Sequence, residues 1–453
     1  MMKKRVLASL AVTAVFAGSL VAANVAQAAP RTVNVWVPFS GGNLDLWTAS
    51  AKRIEAANPG LTIKLTGSVD MAKSLAAINA GNGPDISVAN GAGNLGWFCG
   101  SGAWQKLNLL INGKNGMNAK STFTPAANAF TVAANGTRCA LPFSSEIFGF
   151  YYNKDLFKSA GISGAPKDTA ELAADTKKLT TFNSDGSIKT AGFVPWAGYY
   201  GFGMDAMWLG YMFGASWYNG NQSAFTTPQW KRAFQWQHDL IQNVYGHGNF
   251  KKGADLLTKF VAARGDEWGA QHDFITGRVA MKLDADWMAP MFCDPDGWAL
   301  NPCTKPAVNF GVAPFPVAPG LVSTNYGYGL VGGNTMGISK GVKNLGDAWI
   351  VLKGLATDKK LALEWANANG DPSSLIAARN KADLTYPAFY QTFYDISNHP
   401  RSGYHQLRNT GEHQEEDAIQ NLLAAWQAGS LSDLSAGLSK TASDVNNILA
   451  RNA

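Results

Sequence analysis

Charge is scarce in this sequence: Asp, Glu, Lys and Arg together make 15 % of its 453 residues. The formal net charge of +6 falls to +3 once the three cations Lys3, Lys4 and Arg5 are set aside. So weak a balance on so long a chain excludes an electrostatic nucleic-acid surface. Long apolar runs are equally rare. The run at the N-terminus, Val6 to Val21, is broken by Ser9, Thr13 and Ser19, follows the cationic cluster, and leads to Ala26-Gln27-Ala28, a small-residue cleavage pattern. Residues 1–28 therefore read as a signal peptide cut after Ala28, not a retained membrane helix. That places the mature chain in the periplasm or outside the cell. With no cysteine at the cut, nothing suggests a lipid anchor. The length that remains predicts two domains.

Cysteine is limited to four residues and no C-x-x-C occurs. An even count in an exported chain favours two disulfides over metal ligation or a catalytic thiol. Three pairings are open; the turn-rich stretch "CDPDGWALNPC" can close Cys293 on Cys303, which would leave Cys99 with Cys139. The six histidines show no pair at metal-helix spacing, and no cofactor is expected. Internal repeats, low-complexity tracts and long charge runs are absent. Aromatic residues are plentiful, with 15 Trp. Most of these should be core, but flat apolar faces with polar edges also suit sugar rings.

The first hundred residues carry an alternating rhythm. Val33 to Val37 alternates as a strand does, and "PFSGGN" follows as a turn. Leu44, Trp47, Ala51 and Ile54 fall at helical spacing until Asn58-Pro59-Gly60. Leu61, Ile63 and Leu65 alternate again, Met71, Leu75 and Ile78 return to helical spacing, and Pro84 to Val88 is a third strand. This β-α-β-α-β order predicts an open, mostly parallel sheet whose ligand sits beyond the carboxyl ends of its strands. Val308 to Val312 resumes strand-like runs, Gly337 to Ala356 gives strand, turn and helix, and Asp417 to Leu449 is helical.

Three motifs compete for chemistry. Gly91, Gly93 and Gly96 have the G-x-G-x-x-G spacing of a dinucleotide cradle, but "WFCGSGAW" does not read as a helix opening at Gly96, and no acid lies from Gly96 through Asn118. A sharply bent strand-end loop, bringing backbone N–H and C=O groups to a neutral hydroxyl-rich ligand, explains the glycines better. Gly337 to Gly341, "GISKG", matches a nucleophile elbow; the competing role is a strand-to-helix turn with Ser339 as a turn or capping residue. Carboxylates Glu146, Asp284 and Asp286 beside aromatic segments admit a glycoside hydrolase, whose chemistry needs two flanking carboxylates. A sugar-binding site would use the same groups as hydroxyl acceptors.

Several segments in order, "VNVWVPFSGG", "AANPGLTIKL", "GNGPDISVA", "LPFSSEIFGFYYNKDLFKSAGI", "FITGRVAMKLDADW", "VNFGVAPFPV" and "GGNTMGISKGVKNLGDAWIVLKGLA", resemble the extracellular solute-binding proteins of carbohydrate ABC importers, the group that includes maltose-binding protein. The resemblance implies an α/β, bilobed periplasmic-binding-protein fold. Lobe 1 would take residues 29–142 and 313–370, and lobe 2 residues 143–312 and 371–453. The chain would cross between lobes near Leu141 to Ser144, Val312 to Val317 and Asn369 to Ser374.

By position, the resemblance assigns Phe39, Ser40, Gly41, Asn90, Gly91 and Trp97 to one rim of the cleft, together with Gly332, Gly333 and Asn334. Glu146, Asp286 and Trp287 stand where the group places a sugar-binding acid and a stacking aromatic, and Trp196, Tyr199, Tyr200 and Arg401 would face them from lobe 2. It implies a monomeric, non-enzymatic subunit that captures a mono- or oligosaccharide and delivers it to a membrane permease. The chain departs from the group in "GAPKDTAELAAD", which lacks the usual Trp, and in the extra Cys293–Cys303 loop. The alternatives are a secreted glycoside hydrolase, or the same fold binding a polyol or glycerol phosphodiester.

Overall fold

A computed structural model describes residues 31–91, 94–133, 135–196, 198–199, 205–296, 303–403 and 409–452. The expected signal peptide, Gly93, Tyr200, His405 and part of the Cys293–Cys303 loop lie outside the described residues. Among the described residues thirteen strands run in chain order: β1 (Arg31–Trp36), β2 (Leu61–Thr66), β3 (Ile86–Ala89), β4 (Ala140–Pro142), β5 (Glu146–Asn153), β6 (Thr181–Phe182), β7 (Ile188–Phe193), β8 (Tyr218–Asn219), β9 (Gln222–Ser223), β10 (Val279–Ala285), β11 (Phe310–Ala313), β12 (Val331–Gly332) and β13 (Thr335–Ile338). They form two principal sheets, β2-β1-β3-β13-β4 and β11-β5-β10-β7-β6, with β12 also pairing β5. This is the bilobed α/β architecture.

The first sheet follows from its sequence. In β1 the odd positions Val33 and Val35 are buried while Thr32 and Asn34 face solvent, as a one-sided strand requires. Strands β1, β2 and β3 pair in parallel, with β13 antiparallel to β3 and β4 antiparallel to β13. The helices Gly41–Ala57 and Met71–Asn79 lie where the periodicity put them. One expectation needs correcting: residues Leu95–Gly100 do form a helix, short but directly at Gly96. In the second sheet β10 is buried along its whole length, including Lys282 and Asp284. Those two charges meet in an ion pair at 2.7 Å, which makes their burial tolerable.

The departures from the expected pattern have local causes. The helix after "GAPKD" begins without the usual Trp because Asp168 accepts from Ala170 N and Glu171 N at 2.8 Å each, while Glu171 Oε2 accepts from Lys167 N at 2.7 Å. Ser339 is not a helix cap. It is buried past β13 with its amide donating to Asp85 O at 2.9 Å, and Asn344 caps the helix Leu345–Thr357. The disulfides pair as expected, Cys99–Cys139 and Cys293–Cys303.

Candidate functional site

The two sheets present facing rims. Strands β1, β3 and β4 end, and β13 begins, at one rim, because Thr335 lies opposite both Ala89 and Pro142. In the other sheet β5 begins where β10 ends, with Ala285 opposite Phe148, and β7 runs parallel to β10. Glu146 therefore starts β5 at the same edge where Asp286 and Trp287 leave β10.

Three passages of chain meet between these rims. Phe143 N donates to Asn334 O at 2.9 Å, and Asn334 Nδ2 donates to Ser144 Oγ at 2.8 Å. Ser144 bridges Ser373, Ser145 N donates to Pro372 O at 3.3 Å, and the hydroxyls of Ser145 and Ser374 lie 2.9 Å apart. Small hydroxyl side chains let the strands approach closely here.

Three carboxyls collect at this junction: Glu146, Asp286 and Asp371. Asp286 is fully buried and accepts from Ile147 N and Trp287 N, both at 3.0 Å. Asp371 accepts from Trp365 Nε1 at 2.7 Å, and its second oxygen, Oδ1, has no hydrogen-bond partner among the described residues. Glu146 is half-buried at the start of β5. Burial, and then the charge of Asp371, push Glu146 up to about 8, against a hydrogen bond from Asn334. Burial pushes Asp371 up to about 7. Asp286 is raised well above the carboxylate range by burial and then by Asp371 and Glu146. Burial, with repulsion from neighbouring carboxyls at Glu146 and Asp286, disfavours the charged form of these groups. A protonated carboxyl donates one hydrogen bond and accepts others, which suits a ligand made of hydroxyl groups.

Aromatic faces surround the junction. Phe39 packs 4.6 Å from Trp365 and 5.6 Å from Trp47, half-buried at the end of β1. Trp287 is half-buried and edge-on to Phe148 at 5.4 Å. Ser40 and Asn90 are exposed at strand ends, beside Gly41 and Gly91, while Gly332 pairs with Glu146 across β12 and β5. Trp196 is half-buried against the second lobe's core. Tyr199 is turned away toward Asp273, to which its hydroxyl donates at 2.7 Å. Arg401 is engaged elsewhere: its guanidinium lies 4.4 Å over Tyr328 and donates to that hydroxyl at 2.9 Å. Trp97 packs against His413 with ring centroids 4.1 Å apart and the planes tilted by 45°.

Sequence reasoning missed Asp371 and Tyr390, whose buried hydroxyl feels both Asp286 and Asp371. Asp284, by contrast, is held by Lys282 and does not join the cluster. Ser339 Oγ has no partner among the described residues, so no base among them activates it. Among these residues no group of three or more His, Cys, Asp or Glu could hold a metal ion, and no helix is long and apolar enough to cross a membrane.

With this geometry in place, similarity to known proteins is informative. Residues 49–390 match the family of bacterial extracellular solute-binding proteins, and the chain belongs to that family. A Brucella abortus binding protein is 25 % identical over 315 residues, 66 % of each chain. A maltooligosaccharide ABC transporter solute-binding lipoprotein of Streptococcus pneumoniae is 27 % identical over 278 residues, 59 % of this chain and 54 % of the relative. The matches thus span a little under two thirds, or about half, of these relatives. The solved structure of CpMnBP1 with mannotriose bound superposes with a TM-score of 0.71 at 26 % identity, covering 91 % of this chain and 99 % of the other.

Proposed function

We propose that this protein is the exported, non-enzymatic binding subunit of a carbohydrate ABC importer. It captures a disaccharide or short oligosaccharide between its lobes and presents the closed complex to a membrane permease. The observation that carries this reading is the convergence of Glu146, Asp286 and Asp371 with Phe39 and Trp287 where the three passages meet: carboxyls whose charged forms burial disfavours, beside flat apolar faces. Such a site favours a neutral, hydroxylated ring over a phosphodiester. Relatives that bind maltooligosaccharide or mannotriose support the same class.

In this reading Ser40, Gly41, Asn90, Gly91, Gly333 and Asn334 line the first rim, and Glu146, Trp196, Asp286 and Trp287 the second. The lobes divide near 142/143 and 370/371. We place the middle crossing at 331–334 and not at the expected Val312 to Val317, since Phe315, Val317, Tyr328 and Leu330 pack in the second lobe's core. Closure is a population shift: ligand touching both lobes stabilises the shut state. The protein acts as a monomer after cleavage near Ala28.

The test is a thermal-shift screen over mono- and oligosaccharides. A sugar at 100 times its Kd stabilises the folded state by about 2.7 kcal/mol and raises Tm measurably. If no sugar moves Tm, the reading fails; if incubation with glycosides yields turnover that Glu146→Gln abolishes, the non-enzymatic part fails.

A further inference from the structure

The charge of this chain is unevenly shared. In the proposed division, residues 31–142 and 331–370 hold 14 Lys and Arg against 7 Asp and Glu, whereas 143–330 and 371–453 hold 21 against 25. From Ile86 through Ser145 no carboxylate occurs, while Lys106, Lys114, Lys120 and Arg138 stand in that stretch. Segregation of this kind points to an anionic partner for the first lobe. The same lobe carries an apolar tip. Among the described residues four large apolar side chains are exposed, and two of them, Leu109 at 88 % and Leu345 at 37 %, belong to this lobe.

One loop joins the two leucines. Leu109 sits in the short helix Asn108–Ile111, whose Leu110 and Ile111 pack on the core. The chain then turns back, Met117 N donating to Ile111 O at 3.0 Å. Inside that turn the Asn115 carbonyl accepts from Trp349 Nε1 at 3.1 Å and from Lys353 Nζ at 2.8 Å. Leu345, Trp349 and Lys353 are spaced four apart on one helix, so they share a face and the loop lies against it. Lys106 and Lys114 flank Leu109, and Lys343 precedes Leu345; all three are exposed. No carboxylate pairs with them or with Lys353 among the described residues. The tip also stands clear of the cleft. Strand β13 begins at the cleft rim and ends at Ile338, whose carbonyl accepts from Gln105 N at 2.8 Å, while Lys340 N donates to Ala103 O at 2.7 Å. The tip therefore grows from the end of the sheet opposite the cleft.

We propose that this tip is a docking surface for an anionic phospholipid membrane, with Leu109 entering the headgroup region and the lysines around it lying against lipid phosphates. Charge selects an anionic partner, and the leucine selects lipid among anions. A hydrophilic polyanion would pair with the lysines but would leave Leu109 in water. A leaflet is anionic at its surface and apolar just beneath, which matches an apolar side chain ringed by unpaired cations. The attachment is weak and reversible, because one leucine and a few lysines supply little binding energy. Its place at the far end of the sheet leaves the cleft and the lobe motion free. Membrane docking is thus independent of the ligand, whatever that ligand is.

The experiment is co-sedimentation of the full mature chain with vesicles of phosphatidylcholine alone and of phosphatidylcholine mixed with phosphatidylglycerol, at low and high salt. The wild type is compared with Leu109→Ser and with the double variant Lys106→Gln/Lys114→Gln. The wild type should sediment with the anionic vesicles, less so as salt rises, and stay in solution with the neutral ones. The lysine pair should weaken partitioning roughly thirtyfold, about fivefold for each charge. Leu109→Ser should weaken it roughly tenfold. Both variants should keep the wild-type Tm, since the altered side chains are exposed, and if one misfolds the other decides. A Leu109→Ser protein that partitions like the wild type overturns the proposal, since the surface then reads charge alone. Equal sedimentation with neutral vesicles overturns it, as does sedimentation with neither. A wild type that is dimeric by light scattering, and monomeric as Leu109→Ser, gives the tip to a second copy of the chain and overturns the membrane.

Discussion

Substituting Gly96 by alanine should open the protein without unfolding it. A Cβ at Gly96 would lie 1.8 Å from the carbonyl oxygen of Asn409, 2.6 Å from its carbon and 2.9 Å from its nitrogen. In the proposed division Gly96 belongs to the first lobe, in a helix fixed to Cys139 by the Cys99 disulfide. Asn409 belongs to the second, directly before the helix Glu412–Gln427. Both contacting groups are backbone, so no side chain can swing aside.

Asn409 is itself pinned, its Nδ2 donating to Glu415 at 2.9 Å and its Oδ1 accepting from Gly411 N at 2.8 Å. Around the contact, Gly100 meets Thr410, and His413 Nε2 lies 3.2 Å from Asn94 Oδ1. Restoring an ordinary separation near 3.4 Å from the 1.8 Å approach requires the lobes to part locally by nearly the present gap again. Overpacking of this kind costs about 1–3 kcal/mol. If the contact forms only on closure, that cost falls on the closed state and weakens ligand binding about 5- to 150-fold. The assay is titration with the best sugar from the screen, beside Tm of the ligand-free protein. We expect the weaker Kd with ligand-free Tm nearly unchanged. A fall of several degrees in ligand-free Tm with Kd unchanged would refute the reasoning and make the contact a permanent part of the fold.

The protonated cluster gives a pH signature. The folded-state values of Glu146 and Asp371, about 8 and about 7, lie above their unfolded values, so between pH ~4 and ~8 the folded protein holds more protons and loses stability as pH rises. Tm should decline across that window, and Glu146→Gln should make the decline shallower; parallel profiles would count against the assignment. Trp287→Ala should lower sugar affinity by about tenfold to a hundredfold, read by calorimetry, with little change in Tm because the ring is only half-buried. Gly91 sits at φ +71°, and a Cβ added there would find no atom nearer than 3.7 Å. Gly91→Val should therefore cost about 1–2 kcal/mol of local strain and block binding while the lobe stays folded by circular dichroism. Replacing Cys99 and Cys139 together by serine removes a crosslink across 40 residues, and loop entropy puts the loss near ~4 kcal/mol, visible as a lower denaturation midpoint.

The sequence made local order legible because local order depends on neighbours. Alternation in Val33 to Val37 and helical spacing from Leu44 to Ile54 each state which face is buried, and the structure buries Val33, Val35, Trp47 and Ile54. Glu146 and Asp286 were legible as candidate acids from the aromatic segments beside them, and the resemblance gave them a sugar-binding role, but nothing in their own segments measures their separation. Asp371 was not legible at all. In "NGDPSS" it reads as an ordinary turn residue, and its role depends on a fold that brings it beside side chains far away in the chain. Arg401 shows the opposite error: a cation in a polar stretch looks available, but Tyr328, 73 residues earlier, occupies it. The helix at Gly96 escaped because it is short and held by burial of Leu95 and Phe98 against Ile78, Ala89 and Trp104 and by the disulfide to Cys139, not by a repeating apolar pattern.

The triple passage between the sheets also governs how this molecule can be taken apart. In the proposed division residues 143–145, 333–334 and 369–375 join the same two halves, so a protease that nicks one of them leaves two covalent tethers intact. Neither half corresponds to one continuous stretch of gene, and truncation from either end removes pieces of a lobe instead of a whole one. An inserted reporter would sense relative lobe movement only if placed beside these tethers, where a small rotation becomes a change in backbone direction.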